Sequence, residues 1–456
     1  MSAGFSLRLA AVAHELGASA PAQDVELTGV SSDSRTLKAG DLFVALKGEN
    51  FDGHDHVAKA QARGAAAALV EHAVAGVSMP QLLVGDARMA LGHTARFWRR
   101  RFTLPTLALT GSNGKTTVKE MLRSILAAHT GDADAVLATE GNLNNDIGVP
   151  RMLLRLRAHH RYAVFEMGMN HLGEIDYLTR LVEPDVAMVT MAGTAHIGEL
   201  GSRETIAQAK GEIYGALKPE GIAVVNMHDR FGNYWCDRVH GHRVITFGIA
   251  PEDDVVGTFG ADELGIAWRG HQIGVHLQVP GEHNRNNALA AAAGACALDI
   301  PLEAIRRGLD NFAGVAGRLR TFSGHNSATI IDDTYNANPD SVKAAVRVLA
   351  GRKPPRYLVL GDMGELGVNG AAMHREVGAY ACAAGIDRLF ALGELSRETA
   401  AAFGPRAAHF STGEELVSSL RPLLEPHASV LVKGSRFMKM EHVVEQLVPG
   451  YSGGHH

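Results

Sequence analysis

The sequence predicts an α/β protein of three domains with a parallel sheet at its centre. Three observations carry that expectation. Short apolar runs alternate with stretches of helical periodicity along the chain, the signature of layered α/β folds. The length, 456 residues, corresponds to three units at about 150 residues each. Near residue 110 a short strand, a glycine-bearing turn and an amphipathic helix follow one another, the order in which parallel sheets cradle phosphate groups.

Composition sets the outer bounds. Apolar residues are 46% and charged residues 20% of the chain, which excludes a disordered polymer. Lys and Arg number 44 against 49 Asp and Glu, a formal net charge of −5. Without a basic excess, neither nucleic acid nor an anionic membrane surface is expected as the main partner. The longest alanine-rich apolar run, residues 288–298, has 11 residues. A membrane span needs about 20, so no membrane insertion is expected. Cys236, Cys296 and Cys382 are too far apart for zinc spacing, and a sparse odd set predicts buried, reduced thiols. The Ala-Ser-Ala stretch at 18–20 follows Arg8, His14 and Glu15, which interrupt the apolar core of a signal peptide. The expected setting is the cytoplasm.

The first domain is expected over residues 1–104. It holds a turn-rich stretch at 30–35, an apolar run at 41–46 and a helix carrying Val57, Ala60, Gln61 and Gly64. Its basic cluster, residues 96–101, reads as a solvated helix end. The second domain, 105–314, has strand candidates at 107–109, 162–166, 185–191, 222–226 and 244–247. The third, 315–456, has them at 329–331, 357–360, 388–392 and 430–432, predicting a second doubly wound sheet with ligands near the strand C-terminal ends. Residues 452–456 read as a frayed tail.

The strongest signal is Thr110-Gly111-Ser112-Asn113-Gly114-Lys115-Thr116-Thr117. After it, Val118, Met121, Leu122, Ile125 and Leu126 fall on one helix face. Glycines let backbone N–H groups face phosphates, and the helix N-terminus adds partial positive charge. Lys115 can neutralise the outer phosphates, and the Thr116 hydroxyl can ligate Mg²⁺. The loop is a shortened variant, because position 109 is leucine where the commoner pattern has glycine.

Other features allow two readings each. Glu166 ends a strand in the same domain, where a carboxylate can hold a divalent cation or simply face solvent. His196 lies in a loop past another strand end and is either structural or a ligand. On a helix expected over 203–217, Lys210 shares the stripe of Ile206, Ile213 and Leu217, so it snorkels or is modified. Asparagine-rich turns lie at 139–150, with Asn142, Asn144 and Asn145, and at 281–287, with Asn284 and Asn287. They serve capping and Asx turns or the polar edges of a ligand. Polar turns at 332–339, 361–367 and 433–436 all follow strands, and together would line one edge of the third sheet.

Taken together, these segments resemble the Mur ligases, ATP-dependent amide-forming enzymes of peptidoglycan synthesis, over nearly the whole chain. The shortened phosphate loop is the family's form. Residues 142–150, Glu166-Met167-Gly168, 332–341 and 360–367 resemble the family's D-alanyl-D-alanine-adding branch, as does 41–55 in the first domain. No Asp-Asn-Pro-Arg, the mark of the diaminopimelate-adding branch, is present, and Asn336-Ala337-Asn338-Pro339 stands in its place. The alternatives are another amide ligase of the superfamily, such as the diaminopimelate-adding enzyme or a folylpolyglutamate synthetase. More distant are a small-molecule kinase and a nucleotide switch.

The resemblance implies a central P-loop ATPase-like sheet, a Rossmann-like C-terminal domain that closes over ATP and binds the incoming dipeptide, and a smaller α/β N-terminal domain for the UDP-linked substrate. It implies ATP and two Mg²⁺ ions as cofactors. UDP-N-acetylmuramoyl-tripeptide and D-Ala-D-Ala would be the substrates of a monomeric enzyme. Gly111, Ser112, Asn113, Gly114, Lys115, Thr116 and Thr117 would hold the phosphates. Thr116 and Glu166 resemble Mg²⁺ ligands, with His196 and a carbamylated Lys210 near a second ion, and Lys115, Lys210 and His196 would be catalytic. Asn284 and Asn287 resemble adenine-side contacts, while Arg318, Asp333 and Tyr335 would close over ATP. Ser31, Ser32, Asp33 and Arg35 resemble the uridine end of the substrate site. Asn142, Asn144, Asn145, Asn336 and Asn338 would contact the rest of the substrates.

Overall fold

The computed structural model describes residues 4–451, so the expected tail at 452–456 lies outside the described residues. Near the N-terminus, Gly29–Ser31, Asp41–Val44, Ala67–Val70 and Gln81–Leu83 form a four-stranded parallel sheet. The helix Ala87–Arg99 follows it and carries the chain onto the central layer.

The central sheet has nine strands. Its key elements are β1 (Thr106–Thr110), α1 (Lys115–Thr130), β2 (Tyr162–Glu166), β3 (Val186–Val189), α2 (Arg203–Gly211) and α3 (Glu282–Ala297). In spatial order the strands are Val136–Ala138, β2, β1, β3, Ile222–Asn226, Arg243–Gly248 and Val255–Phe259, all parallel. Leu264–Trp268 and His271–Val275 extend the sheet in antiparallel fashion. All five residues of β1 are buried, as befits a parallel strand covered on both faces. One cover is α1, whose stripe Val118, Met121, Leu122, Ile125 and Leu126 is fully buried. Gly131, at φ +73°, ends the helix in the left-handed conformation. The alanine run of α3 has its own packing reason. A Cβ on Gly294 would lie 2.9 Å from a Leu107 methyl, so only small residues let α3 approach the sheet this closely.

The third part contains β4 (Thr329–Asp333), α4 (Pro339–Ala350), β5 (Arg356–Gly361) and β6 (Ser429–Lys433). Its six-stranded sheet runs Arg320–Ser323, β4, β6, β5, Arg388–Leu392, Ala407–Phe410, parallel except for the first strand. The C-terminal ends of β4, β5 and β6 face the phosphate loop, because Asn338 and Asp340 just past β4 bond to the central layer.

The hydrophobic clusters divide unevenly. One runs without a break from Leu7, Leu91 and Trp98 into Leu156, Phe165 and Leu178, so the first sheet and the central sheet share a core. The third part is packed by clusters of its own, made of residues from Leu319 onward.

Several expectations need correction. The strands at 136–138, 255–259, 264–268, 271–275, 320–323 and 407–410 were not anticipated from the sequence. They are short, glycine-bearing or weakly alternating, and they owe their pairing to neighbours. The helix expected over 203–217 is α-helical only to Gly211, then tightens to a 3₁₀ turn, Glu212–Ala216. The basic cluster 96–101 is not simply a solvated helix end. Arg99 is 2% exposed, and its guanidinium donates to the Val182 and Phe102 carbonyls and the Thr106 hydroxyl. Arg96 and Arg100 both pair with Glu183. Of the free cysteines only Cys296 is buried, while Cys236 and Cys382 are half-buried.

Candidate active site

The phosphate loop closes β1 onto α1 through two glycines that no other residue could replace without strain. Gly111 has φ +156°, and a Cβ there would meet the Thr190 hydroxyl at 1.8 Å. Gly114 has φ +82°, and its Cβ would meet Asn287 Oδ1 at 2.3 Å. The loop is braced from β3's end, where Ser112 N–H donates to the Met191 carbonyl (2.9 Å) and the Thr190 hydroxyl to the Asn113 carbonyl (2.7 Å). Lys115 Nζ donates to the Gly111 carbonyl at 2.7 Å, which holds the ammonium over its own loop. Burial pushes this lysine below its ordinary pKa, and the nearby Glu166 carboxylate opposes the shift.

Glu166 sits where β2 meets β1, with its backbone N–H donating to the Thr139 hydroxyl at 2.9 Å. Its Oε1 accepts from Asn144 Nδ2 at 2.9 Å, and Oε2 is buried without a partner. An unpaired carboxylate oxygen beside a phosphate loop fits a hard divalent cation. Among the described residues no three His, Cys, Asp or Glu side chains converge as a metal cage. A cation here would therefore take most of its ligands from phosphate oxygens and water, as Mg²⁺ does.

Lys210 lies on α2 and is 1% exposed, so it does not snorkel. Among the described residues no hydrogen bond or ion pair receives its amine. Burial, and then the Lys115 cation, push its pKa well below the ordinary lysine value. His196, at φ +63°, places Nδ1 2.9 Å from Glu365 Oε2 of the third part. The histidine in turn holds the Glu365 carboxyl below its usual range.

The opposing wall comes from the third part. Arg318 Nη2 donates to the Thr116 hydroxyl at 3.0 Å, and its guanidinium stacks 4.2 Å from the Tyr335 ring centre. Asp333 pairs with Lys433 at 2.7 Å in a nearly dry setting, and Lys433 also donates to the Asn336 carbonyl at 2.8 Å. Asn338 caps α4 through Ser341 and donates to Asn113 Oδ1 at 2.9 Å. Between the two walls lies a cleft of about 1210 Å³, more than a single small ligand needs.

The structure brings most of the sequence-selected residues into this cleft. Ser112, Asn113, Gly114, Lys115 and Thr117 line it, with Asn142, Asn144, Asn145, Glu166 and His196 on the same side. Asn284, Asn287, Arg318, Asp333, Tyr335, Asn336 and Asn338 complete the lining. Asn284 is 5% exposed and donates to the Pro280 carbonyl, while Asn287 donates to Asn284 Oδ1. Gly111, Thr116 and Lys210 are not themselves in the lining. Ser31, Ser32, Asp33 and Arg35 stand apart from the cleft. The Ser31 hydroxyl donates to the Asp33 carbonyl, and the Arg35 guanidinium holds the Asp33 carboxyl down to about 2.

Thr190, Thr194 and Asp340 also line the cleft, with Arg203 paired to Asp340; of these, only Asp340 lay in a segment that carried the family resemblance, 332–341, and none was given a role there. Asp340 is an acid in the first turn of α4 and Arg203 the first residue of α2, places where a charge needs no partner. Only their meeting across the cleft gives them a role.

Comparison with known proteins accords with this geometry. The Mur ligase middle domain model matches residues 109–295, the Mur ligase glutamate ligase domain model 317–436, and the Mur ligase family catalytic domain model 26–99. A Haemophilus influenzae protein named UDP-N-acetylmuramoyl-tripeptide–D-alanyl-D-alanine ligase is 40% identical over 434 residues, 93% of this chain and 94% of that protein. The crystal structure of MurF from Acinetobacter baumannii superposes with TM-score 0.89 at 38% identity, covering 96% of this chain and 98% of that one. MurF ligase from Thermotoga maritima, solved in complex with ADP, gives TM-score 0.80 at 26% identity over 92% and 96% of the two chains. With likeness of that extent in sequence and in fold, this chain belongs to the Mur ligase family.

Proposed function

We propose that the chain is an ATP-dependent ligase that joins D-Ala-D-Ala to the peptide carboxylate of UDP-N-acetylmuramoyl-tripeptide through an acyl phosphate, releasing ADP and phosphate. The observation that carries this reading is the 40% identity, over nearly both full lengths, to a relative bearing that activity's name. The cleft supports it chemically.

A carboxylate is a poor acyl donor, because its charge repels nucleophiles and oxide is a bad leaving group. Transfer of the γ-phosphoryl group to the tripeptide carboxylate removes both obstacles. Lys115 and the backbone N–H groups of the phosphate loop offset charge on the phosphoryl oxygens. The amine of D-Ala-D-Ala then attacks the acyl carbon, and phosphate leaves. Arg318, Asp333 and Tyr335 bear on the nucleotide side, with Asn284 and Asn287 at the adenine end. Asn142, Asn144, Asn145, Asn336 and Asn338 bear on the peptide substrates, and Ser31, Ser32, Asp33 and Arg35 on the uridine end. Closure of the third part keeps water from the acyl phosphate.

Thr116 and Glu166 would hold one Mg²⁺, and His196 with Lys210 a second. Bound there, the ions supply Lewis-acid stabilisation of the phosphoryl oxygens. A buried amine whose charged form is disfavoured suits carbamylation at Lys210, since CO₂ adds to the free base and converts a cation site into an anion. Among the described residues no helix is long and apolar enough to cross a membrane, and the three cysteines are free, in keeping with work in the cytoplasm.

The test is mass analysis of products from ATP, Mg²⁺ and UDP-muramoyl-tripeptide, with and without D-Ala-D-Ala. Pentapeptide should form only with the dipeptide. Addition of a diamino acid to the dipeptide precursor would move the chain to another branch of the family.

A further inference from the structure

Asp340 lies in the first turn of α4, where the positive end of the helix favours an acid. That role needs no partner outside the helix, yet Oδ2 has three, all from the central part. The Thr194 N–H and hydroxyl each donate to it at 2.9 Å, and Arg203 Nη2 at 3.2 Å. The carboxylate also packs on the loop backbone, since a Cβ at Gly193 would lie 2.8 Å from Oδ2. This loop is the one whose Thr190 and Met191 brace Asn113 and Ser112 of the phosphate loop. Two residues before Asp340, Asn338 bonds to Asn113 directly. Arg203 is the first residue of α2, the helix that carries Lys210 two turns on. Its Nε is buried without a partner, and its charge also acts on the half-buried Asp229. The guanidinium thus lies in the field of two acids, one on each side of the seam.

Resting on the ligase reading above, we propose that Asp340 is a positioning residue, the catch of an interdomain latch with Thr194 and Arg203 that couples closure of the third part to the shape of the phosphate loop and to α2. Latched, α4 sets Asn338 on Asn113 and keeps the 190–194 loop pressed on the phosphates' side. The pair is partly exposed, 36% for Arg203 and 29% for Asp340, so it is weak enough to open in each turnover. Unlatched, the third part spends more time open and water reaches the acyl phosphate. Water then attacks the acyl carbon, the acyl–oxygen bond breaks and phosphate leaves. The carboxylate is regenerated, and one ATP has become ADP and phosphate with no amide made.

The experiment compares full-length wild type with Asp340→Ala, Asp340→Asn, Arg203→Ala and the double variant Arg203→Ala/Asp340→Ala. Phosphate released per pentapeptide should rise several-fold above one in Asp340→Ala, and kcat/KM for D-Ala-D-Ala should fall roughly tenfold or more. KM for UDP-muramoyl-tripeptide and Tm should stay at wild-type values, which a merely unfolding variant would not allow. Asp340→Asn keeps acceptors for Thr194 but loses the charge, so it should match Arg203→Ala. The double variant should be no worse than Asp340→Ala, because both substitutions break one device. Small-angle scattering without substrates should give a larger radius of gyration for each variant. Unchanged stoichiometry in both single alanine variants, multiplying effects in the double, or equal compactness would each overturn the latch. A wild-type enzyme that makes no pentapeptide would overturn the ligase reading instead, and the scattering measurement would still decide the latch.

Discussion

The molecule has two seams of opposite chemistry. Between the first and central parts the seam has an unbroken apolar core, where Trp98, 5% exposed, donates Nε1–H to the Leu156 carbonyl, and only its rim is charged, with Arg96 and Arg100 on Glu183. Between the central and third parts it is polar, made of Arg318 on Thr116, Asn338 on Asn113, Asp340 on Thr194 and Arg203, and Glu365 beside His196. Burying apolar surface is worth about 25 cal/mol per Å² and is lost only on exposure to water. Exposed ion pairs and hydrogen bonds exchange with water at little net cost, each worth about 1 kcal/mol or less. One seam is therefore built to stay shut and the other to open, and the cleft lies along the second.

The contrast can be broken at its stiffest point. Trp98→Ala should cost about 3–5 kcal/mol of stability, read as a lower denaturation midpoint. A change under about 1 kcal/mol would show that the first seam is not a shared core. On the polar side, Lys115→Ala should lower kcat by roughly 10²–10³ without moving Tm, because the side chain lies over the phosphate loop and supports no core. Near-normal turnover at saturating ATP would remove Lys115 from the phosphate site.

Lys210→Ala should lose most activity and keep its fold. Acetate or formate should restore part of it by filling the vacated anion position, and neither should help Lys115→Ala, whose missing group is a cation. Full activity, or loss without carboxylate rescue, would argue against a carbamate. Arg318→Ala should be milder, raising KM for ATP roughly tenfold with Tm unchanged, as expected for a partly buried charged contact across the polar seam. A Tm drop as large as that of Trp98→Ala would show that the two seams are alike after all.

The smallest effect is a pH slope. Burial, helped by the Lys433 and Arg347 cations, holds His283 down at about 4, against an ordinary 6.5. Between those values the unfolded chain takes up a proton that the folded chain refuses, so stability falls as pH drops through that window. In His283→Gln the slope of denaturation midpoint against pH should flatten there. An unchanged slope would assign it to other groups, such as His160, which burial also holds at about 4.

The sequence by itself determined the phosphate loop and what flanks it. Residues 110–117 are contiguous, their glycines answer to backbone geometry, and the stripe from Val118 to Leu126 declares its helix by period alone. β2, with Glu166 at its end, was legible for the same reason: a short apolar run buried on both faces looks the same whatever lies beside it. The apolar stripe around Lys210 was legible too, but whether its amine reached water was not. That depended on what packs over α2, and the structure leaves it 1% exposed. Arg99 turned inward because four acceptors wait there, two of them, the Val182 and Glu183 carbonyls, more than 80 residues away along the chain. The second wall was named in sequence through Arg318, Asp333, Tyr335, Asn336 and Asn338, but tertiary structure alone decided the contacts that join it. Asp333 meets Lys433 because β4 and β6 pair in register across 100 residues, and Asp340 meets Arg203 because two separately packed bodies touch. Charges of this kind carry no periodicity of their own, so in sequence they look like any solvated surface, and only the fold that brings them opposite one another makes them a site.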